Sequence, residues 1–157
     1  MTIAQGPAEL AELIGAARDR LLAFAAACTD DTWHDRPLAS HGDHRPVGVI
    51  VDHVAHAYDY MGGWVREILA GDVPAVDVAL VDRLNAAHAT DSAHLTQAGA
   101  MEHLTRSGDE LIALISRLTP ADLDAGGGRV RRFAEIAARQ PDTHRTDIEE
   151  ALADSRA

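Results

Sequence analysis

The sequence predicts an all-α fold, a four-helix bundle with one extra short helix between its second and third helices. Apolar residues recur at three- and four-residue spacing in each periodic segment, and no segment alternates over strand length. Aromatic residues make up only 4% of the chain, which favours helix over sheet. Because 157 residues are enough for one core, we expect a single domain over residues 1–157.

The first helix is predicted from Pro7 to about Ala27. Its apolar face consists of Leu10, Leu13, Ile14, Ala17, Leu21 and Phe24. The helix should end at residues 29–32 (TDDT), whose side chains compete for backbone hydrogen bonds. Residues 33–43 contain Pro37 and Gly42, so they are predicted to form a long connection.

The second helix should begin near residues 43–46 and run to about Ala70, where Gly71 stops it. Its predicted core stripe is Ile50, His53, Ala57, Met61, Trp64 and Ile68. A shorter helix is predicted over residues 77–89, and the third bundle helix over residues 96–118. The inward residues of that third helix should be Leu104, Leu111, Ile115 and Leu118.

The fourth helix follows a glycine run at residues 126–128, which is predicted to be a flexible hinge. Its stripe consists of Val130, Phe133, Ala137, Gln140, His144, Ile148 and Ala151. Two of these residues are polar, although they lie on the apolar face. Pro141 lies inside the pattern and should kink or restart the helix, because it removes a backbone donor.

The charge and composition of the chain limit the kinds of partner it can bind and the compartment in which we expect it. The net charge of −11 disfavours binding to nucleic acid or to an anionic membrane surface, and leaves a small molecule or a protein as partner. No secretion signal and no apolar run of membrane-spanning length is found, so we expect a cytoplasmic protein. Cys28 is the single cysteine, which excludes an intramolecular disulfide.

Nine histidines are candidates for chemistry, and their position on each helix separates them. His53 and His144 lie on apolar stripes, where a lone imidazole needs a hydrogen bond or a metal. Gln140 precedes His144 by one turn, so both side chains leave the same helix face. A metal site and a cluster of hydrogen-bonded core histidines both fit this spacing. His34, His41 and His44 lie in or beside the predicted long connection, and His56, His94 and His103 are interpreted as solvated.

Three strings carry a resemblance to a known family: RPVGVIVDHVAHAYDYMGGWV, VDRLNAAHAT and ARQPDTHRTDIEEAL. From about Trp33 to the end, the chain resembles the DinB-like (DinB/YfiT) superfamily of four-helix bundles. The resemblance implies a divalent metal, zinc or nickel, held by His53, Gln140 and His144. Family members usually carry histidine or a carboxylate at the position of Gln140, and an amide is a weaker ligand.

The resemblance leaves two functions open. The first is a metal-dependent enzyme, a thiol-dependent S-transferase or isomerase related to mycothiol-dependent maleylpyruvate isomerase, with a low-molecular-weight thiol as cofactor. The second is a non-catalytic bundle that acts as a small-molecule binder or as a dimeric scaffold. The resemblance also implies a homodimer. Groups that could orient the imidazoles are Asp52, His56, Asp59, Asn85 and Asp147, and the sequence does not choose among them.

Overall fold

A computed structural model describes residues 5–157 and places them in seven α-helices, with no strand in this part of the chain. The helices are α1 (Pro7–Ala27), α2 (Asp30–His34), α3 (Val47–Leu69), α4 (Val78–Asp91), α5 (Gln97–Ser116), α6 (Pro120–Leu123) and α7 (Ala125–Asp154). The predicted all-α fold is therefore confirmed.

Four long helices form the bundle. Helices α1 and α3 each pack against both α5 and α7, so α1 and α3 lie diagonally opposite each other. Helix α4 packs against α3 on the outside of this square. It is the extra short helix that the sequence predicts between the second and third bundle helices.

The connection between α1 and α3 is more ordered than the sequence suggests. The first helix ends just before Thr29, as predicted, and Thr29 then caps α2 by accepting a hydrogen bond from the backbone N–H of Thr32. Threonine followed by aspartates favours a helix start, because these side chains satisfy free N–H groups and complement the dipole. A single 3-10 turn, Ala39–His41, follows before Pro46 caps α3.

The core lies where the predicted stripes face one another. On α1 the fully buried residues are Leu10, Ile14, Ala17, Leu21 and Ala25. Leu13 is predicted to join them but is 40% exposed, because it lies at the edge of the helix face. The first half of α3 is buried on nearly every side, since α2 and α4 cover the face that the bundle leaves open. Asp52 and His53 are buried there.

The glycine run forms a defined turn. Gly126, Gly127 and Gly128 all have left-handed backbone conformations, with φ of 64°, 67° and 85°. A Cβ atom on Gly126 would lie 2.8 Å from Cγ2 of Ile68, so the turn also allows close approach to α3. Beyond the turn, helical geometry continues through the buried Pro141, so the helix does not restart there, and the alternative, a kink, stays a prediction.

None of the helices in residues 5–157 combines the length and the apolar character that a membrane span requires.

Candidate functional site

The three residues that the sequence singles out lie together between α3 and α7. The Nε2 atom of Gln140 is 3.1 Å from Nε2 of His53 and 3.5 Å from Nε2 of His144. The two imidazole rings meet edge to face, with centroids 5.2 Å apart. Each residue reaches this point from the apolar stripe of its helix, where α3 packs against α7.

Both imidazoles of this cluster are held in the neutral form. Burial lowers the pKa of His53 to about 3, and the neighbouring His144 and Arg45 act in the same direction. Burial also lowers the pKa of His144, again with help from the charge of Arg45. A neutral imidazole keeps a free lone pair on one nitrogen, which is the form that accepts a hydrogen bond or binds a metal.

Charged residues flank the cluster near the start of α3. Arg45 forms a two-pronged ion pair with Asp43, with contacts of 2.9 and 2.8 Å. Asp43 and Asp147 raise the pKa of His144 and so oppose the effect of Arg45. Both aspartates also line a surface groove of about 390 Å³, together with Leu38, His41, Glu150, Ala151 and Asp154. An acidic groove therefore lies beside His144.

A second polar cluster joins α3 to α4 and α5. Asp52 is buried and accepts hydrogen bonds of 2.7 Å from Nε2 of His88 and 2.7 Å from Nδ1 of His103. The other nitrogen of His103 donates to Asp59 at 2.7 Å, and Ser107 donates to Asp59 at 2.6 Å. A hydrogen-bonded chain thus runs from the exposed carboxylate of Asp59 to the buried ring of His88.

One imidazolium between two carboxylates stabilises this chain. Hydrogen bonds to Asp52 and Asp59 raise the pKa of His103 to about 9, so its ring is an imidazolium at neutral pH. Burial by itself would raise the pKa of Asp52, but the hydrogen bonds from His103 and His88 outweigh it and lower that pKa to about 2. The imidazolium of His103 therefore donates one hydrogen bond to each of two carboxylates, Asp52 and Asp59, a geometry that favours the charged form of all three groups.

The two clusters are neighbours. The ring of His88 lies 6.1 Å from that of His53, and His56 stacks on His88 with centroids 4.9 Å apart. The interpretation of His103 as solvated is wrong, and that of His56 is wrong in part because its ring is half-buried. The physical reason is that α4 and α5 cover the polar face of α3.

His88 is the site residue that sequence reasoning missed. No local pattern links it to Asp52, which lies 36 residues earlier. A weaker signal was present for the rest of the cluster, since Asp52 and Asp59 lie two turns apart on one helix face. His103 and Ser107 likewise lie one turn apart on another helix, so the two pairs form matching faces.

The sequence of this chain matches the family profile described as the DinB superfamily over residues 13–153. The chain belongs to the DinB superfamily. This confirms the resemblance noted above, whereas the narrower relation to maleylpyruvate isomerase stays a prediction. No curated protein and no solved structure matches the chain.

The donor atoms of this DinB superfamily member fit a metal ion only in part. Among residues 5–157 there is no group of three or more histidine, cysteine or acidic side chains that could hold one. Two imidazoles are present, and the third group is the Gln140 amide, whose buried Oε1 has no hydrogen-bond partner. Turning that amide over would direct Oε1 to the imidazoles and complete a set of two nitrogens and one oxygen. Such a set binds zinc or nickel more weakly than three imidazoles.

Proposed function

We propose that this chain binds one divalent transition-metal ion, zinc or nickel, through His53, His144 and the amide oxygen of Gln140. The observation that supports the proposal is the convergence of two neutral imidazoles on one amide, with Nε2 contacts of 3.1 and 3.5 Å. Neutral imidazole nitrogens are the ligands that these metals prefer. His53 is buried and His144 is half-buried, which limits the access of bulk water that would compete for such a cation.

A metal bound here lowers the pKa of a coordinated water or of a low-molecular-weight thiol, which is the chemistry of a thiol S-transferase or isomerase. The chain itself supplies the surroundings. Asp43 and Asp147 offset the positive charge of Arg45, which would otherwise repel a divalent cation. The carboxylates of the acidic groove near His144 would attract a divalent cation.

Elemental analysis of protein purified without an affinity tag tests the proposal. We expect bound zinc or nickel in the wild type and its loss in a His53→Ala, His144→Ala double variant. A matched double variant of the exposed histidines, His34→Ala with His94→Ala, should keep the metal. Equal metal content in all three proteins would contradict the assignment, as would the lack of any uptake on dialysis against zinc and nickel salts.

A second candidate function is a non-catalytic bundle. It is favoured by the orientation of the Gln140 amide, which donates to both imidazoles and stabilises the cluster without a metal. Such a bundle would serve as a small-molecule binder or as a homodimeric scaffold. Sedimentation equilibrium separates the two roles, because a scaffold should be dimeric at micromolar concentration. If the protein is a monomer and takes up no metal, the role of small-molecule binder is the one that remains.

A further inference from the structure

Two neighbouring imidazoles each have one buried nitrogen without a hydrogen-bond partner in the structure. These atoms are Nδ1 of His53 and Nδ1 of His88, whose rings lie 6.1 Å apart at an angle of 60°. Buried polar atoms are rarely unpaired, and two such atoms on adjacent rings suggest a shared partner. His53 and His88 are 4% and 6% exposed, so bulk solvent is not that partner.

The contacts on the far sides of the two rings assign their protons. The amide nitrogen of Gln140 can only donate, so Nε2 of His53 accepts, and a ring that accepts at Nε2 carries its proton on Nδ1. The Asp52 carboxylate can only accept, so Nε2 of His88 donates to it and carries the proton. His53 therefore presents a donor and His88 a lone pair. The two unpartnered nitrogens are complementary.

We propose that one buried water molecule joins these nitrogens, accepting from Nδ1 of His53 and donating to Nδ1 of His88. His88 is then a positioning residue: through the water it fixes the proton of His53 on Nδ1 and leaves Nε2 free. That tautomer is the one a metal at Nε2 requires. The role toward the metal rests on the proposed function, whereas the water bridge does not.

The surroundings suit a bound water. Each of its hydrogen bonds would span about 2.7–3.2 Å. A third polar atom, Oδ1 of Asn85, is also buried and unpartnered, and it lies one turn before His88 on α4. It would be the acceptor for the second water hydrogen. Three partners is the usual number for a buried water.

The bridge would connect the two clusters into one chain. From the surface, the order is Ser107, Asp59, His103, Asp52, His88, the water, His53 and Gln140. Each member donates to or accepts from the next with no conflict of protons. The bridge would thereby tie the orientation of the His53 ring to α4 through His88, and to α5 through Asp52 and His103.

Nuclear magnetic resonance of the metal-free wild-type protein tests the bridge directly. With ¹⁵N-labelled histidine, long-range ¹H–¹⁵N correlations should show His53 protonated at Nδ1 and unprotonated at Nε2. The Nδ1 proton should exchange slowly and show a cross-relaxation peak to a bound water. A His53 ring protonated at Nε2, or no peak to water, would overturn the inference without any variant.

Two substitutions separate the two nitrogens of His88. In His88→Gln, the new amide keeps an N–H near the position of Nε2 and the contact with Asp52, but the Nδ1 acceptor is lost. In His88→Asn, the shorter amide keeps a polar group near the position of Nδ1 and loses the contact with Asp52. We expect mixed His53 tautomers and about tenfold weaker zinc binding in the first variant. The second should keep the Nδ1–H tautomer, and His94→Gln is the exposed control.

Failure of this inference and failure of the proposed function give different results. If the wild type binds no metal but His53 shows the Nδ1–H tautomer and the water contact, the bridge stands and the metal proposal fails. If the wild type binds zinc and His88→Gln leaves the His53 tautomer unchanged, the metal proposal stands and the role of His88 is overturned. Thermal unfolding of each variant shows whether it is folded.

Discussion

Gln140 occupies the position from which one side chain faces both imidazoles of the candidate site. In the observed orientation its amide donates to them, and in the reverse orientation it offers them an oxygen. Only the second orientation gives a third ligand to a metal, and an amide oxygen is a poor one for zinc or nickel. The chemistry of the whole site therefore depends on this residue.

Replacing Gln140 with histidine should strengthen metal binding. A third imidazole replaces a weak donor, and we expect the affinity for zinc or nickel to rise by at least about tenfold. Competition with a chromophoric chelator measures the change. Thr143→His, which adds an imidazole to an exposed position of the same helix, is the matched control. A Gln140→His protein with wild-type affinity would show that the site is in the wrong place.

The sequence predicts the first cluster but not the second, and the reason is physical. His53, Gln140 and His144 are visible because each interrupts an apolar stripe, a pattern that is local in the chain. The pair of Asp52 with His103 joins residues 51 positions apart, and it depends on how α5 packs against α3. Periodicity records which face of a helix is apolar, but not which helix covers the polar face.

At the scale of elements, the short helix α2 packs against α3 through Trp33. Trp33 is 3% exposed, and its indole lies over Gly48 at the start of α3. A Cβ atom on Gly48 would overlap that ring. The predicted long connection therefore contains a helix that packs against α3. The sequence pattern does not predict this packing, because the Trp33 indole fits only where Gly48 has no side chain.

Substitution of Gly48 with alanine should destabilise the protein. The added methyl group must displace the Trp33 indole, and we expect the free energy of unfolding to fall by about 1–3 kcal/mol. Gly63→Ala is the control, because it lies in the same helix with open space around its Cβ position. That change should raise the free energy of unfolding by about 0.5–1 kcal/mol. Urea titration of both variants checks the difference, and equal effects would contradict the packing argument.

Helix α4 should be the least stable of the longer helices. His88 is its single buried residue, and it packs against α3 with little apolar surface. Few buried contacts allow an element to open without global unfolding. We expect amide hydrogen exchange in residues 78–91 to be governed by a free energy well below that of α1. Equal protection of the two helices would show that the polar contact of His88 stabilises α4 as strongly as an apolar core.

For the whole molecule, the order of the helices followed from the sequence, whereas their arrangement did not. The bounds of α1 match the prediction at both ends, because its stripe is regular and Pro7 marks its start. The diagonal placement of α1 and α3 could not be predicted, because the spacing of apolar residues describes one helix at a time and not which helices are neighbours. The second cluster joins residues of α3, α4 and α5, so it could be predicted only from the way these three helices pack together.

The stability of the molecule should fall as the pH rises above neutrality, because of His103. Its pKa is about 9 in the folded protein and 6.5 without its partners. Between these values the folded state binds more protons than the unfolded state, so the stabilisation is complete below pH 6.5 and is lost as the pH approaches 9. The charges that face His103 are Asp52 and Asp59 of α3.

The expected loss is on the order of 2–3 kcal/mol, since one pKa unit corresponds to about 1.4 kcal/mol and the ring is largely buried. Urea unfolding at a series of pH values from 6.5 to 9 measures it. His103→Gln is the matched variant, because glutamine can still donate to one of the carboxylates but does not titrate. It should be less stable than the wild type at pH 6.5 and show a flatter profile. If both proteins lose stability in parallel, the imidazolium of His103 is not the titrating group.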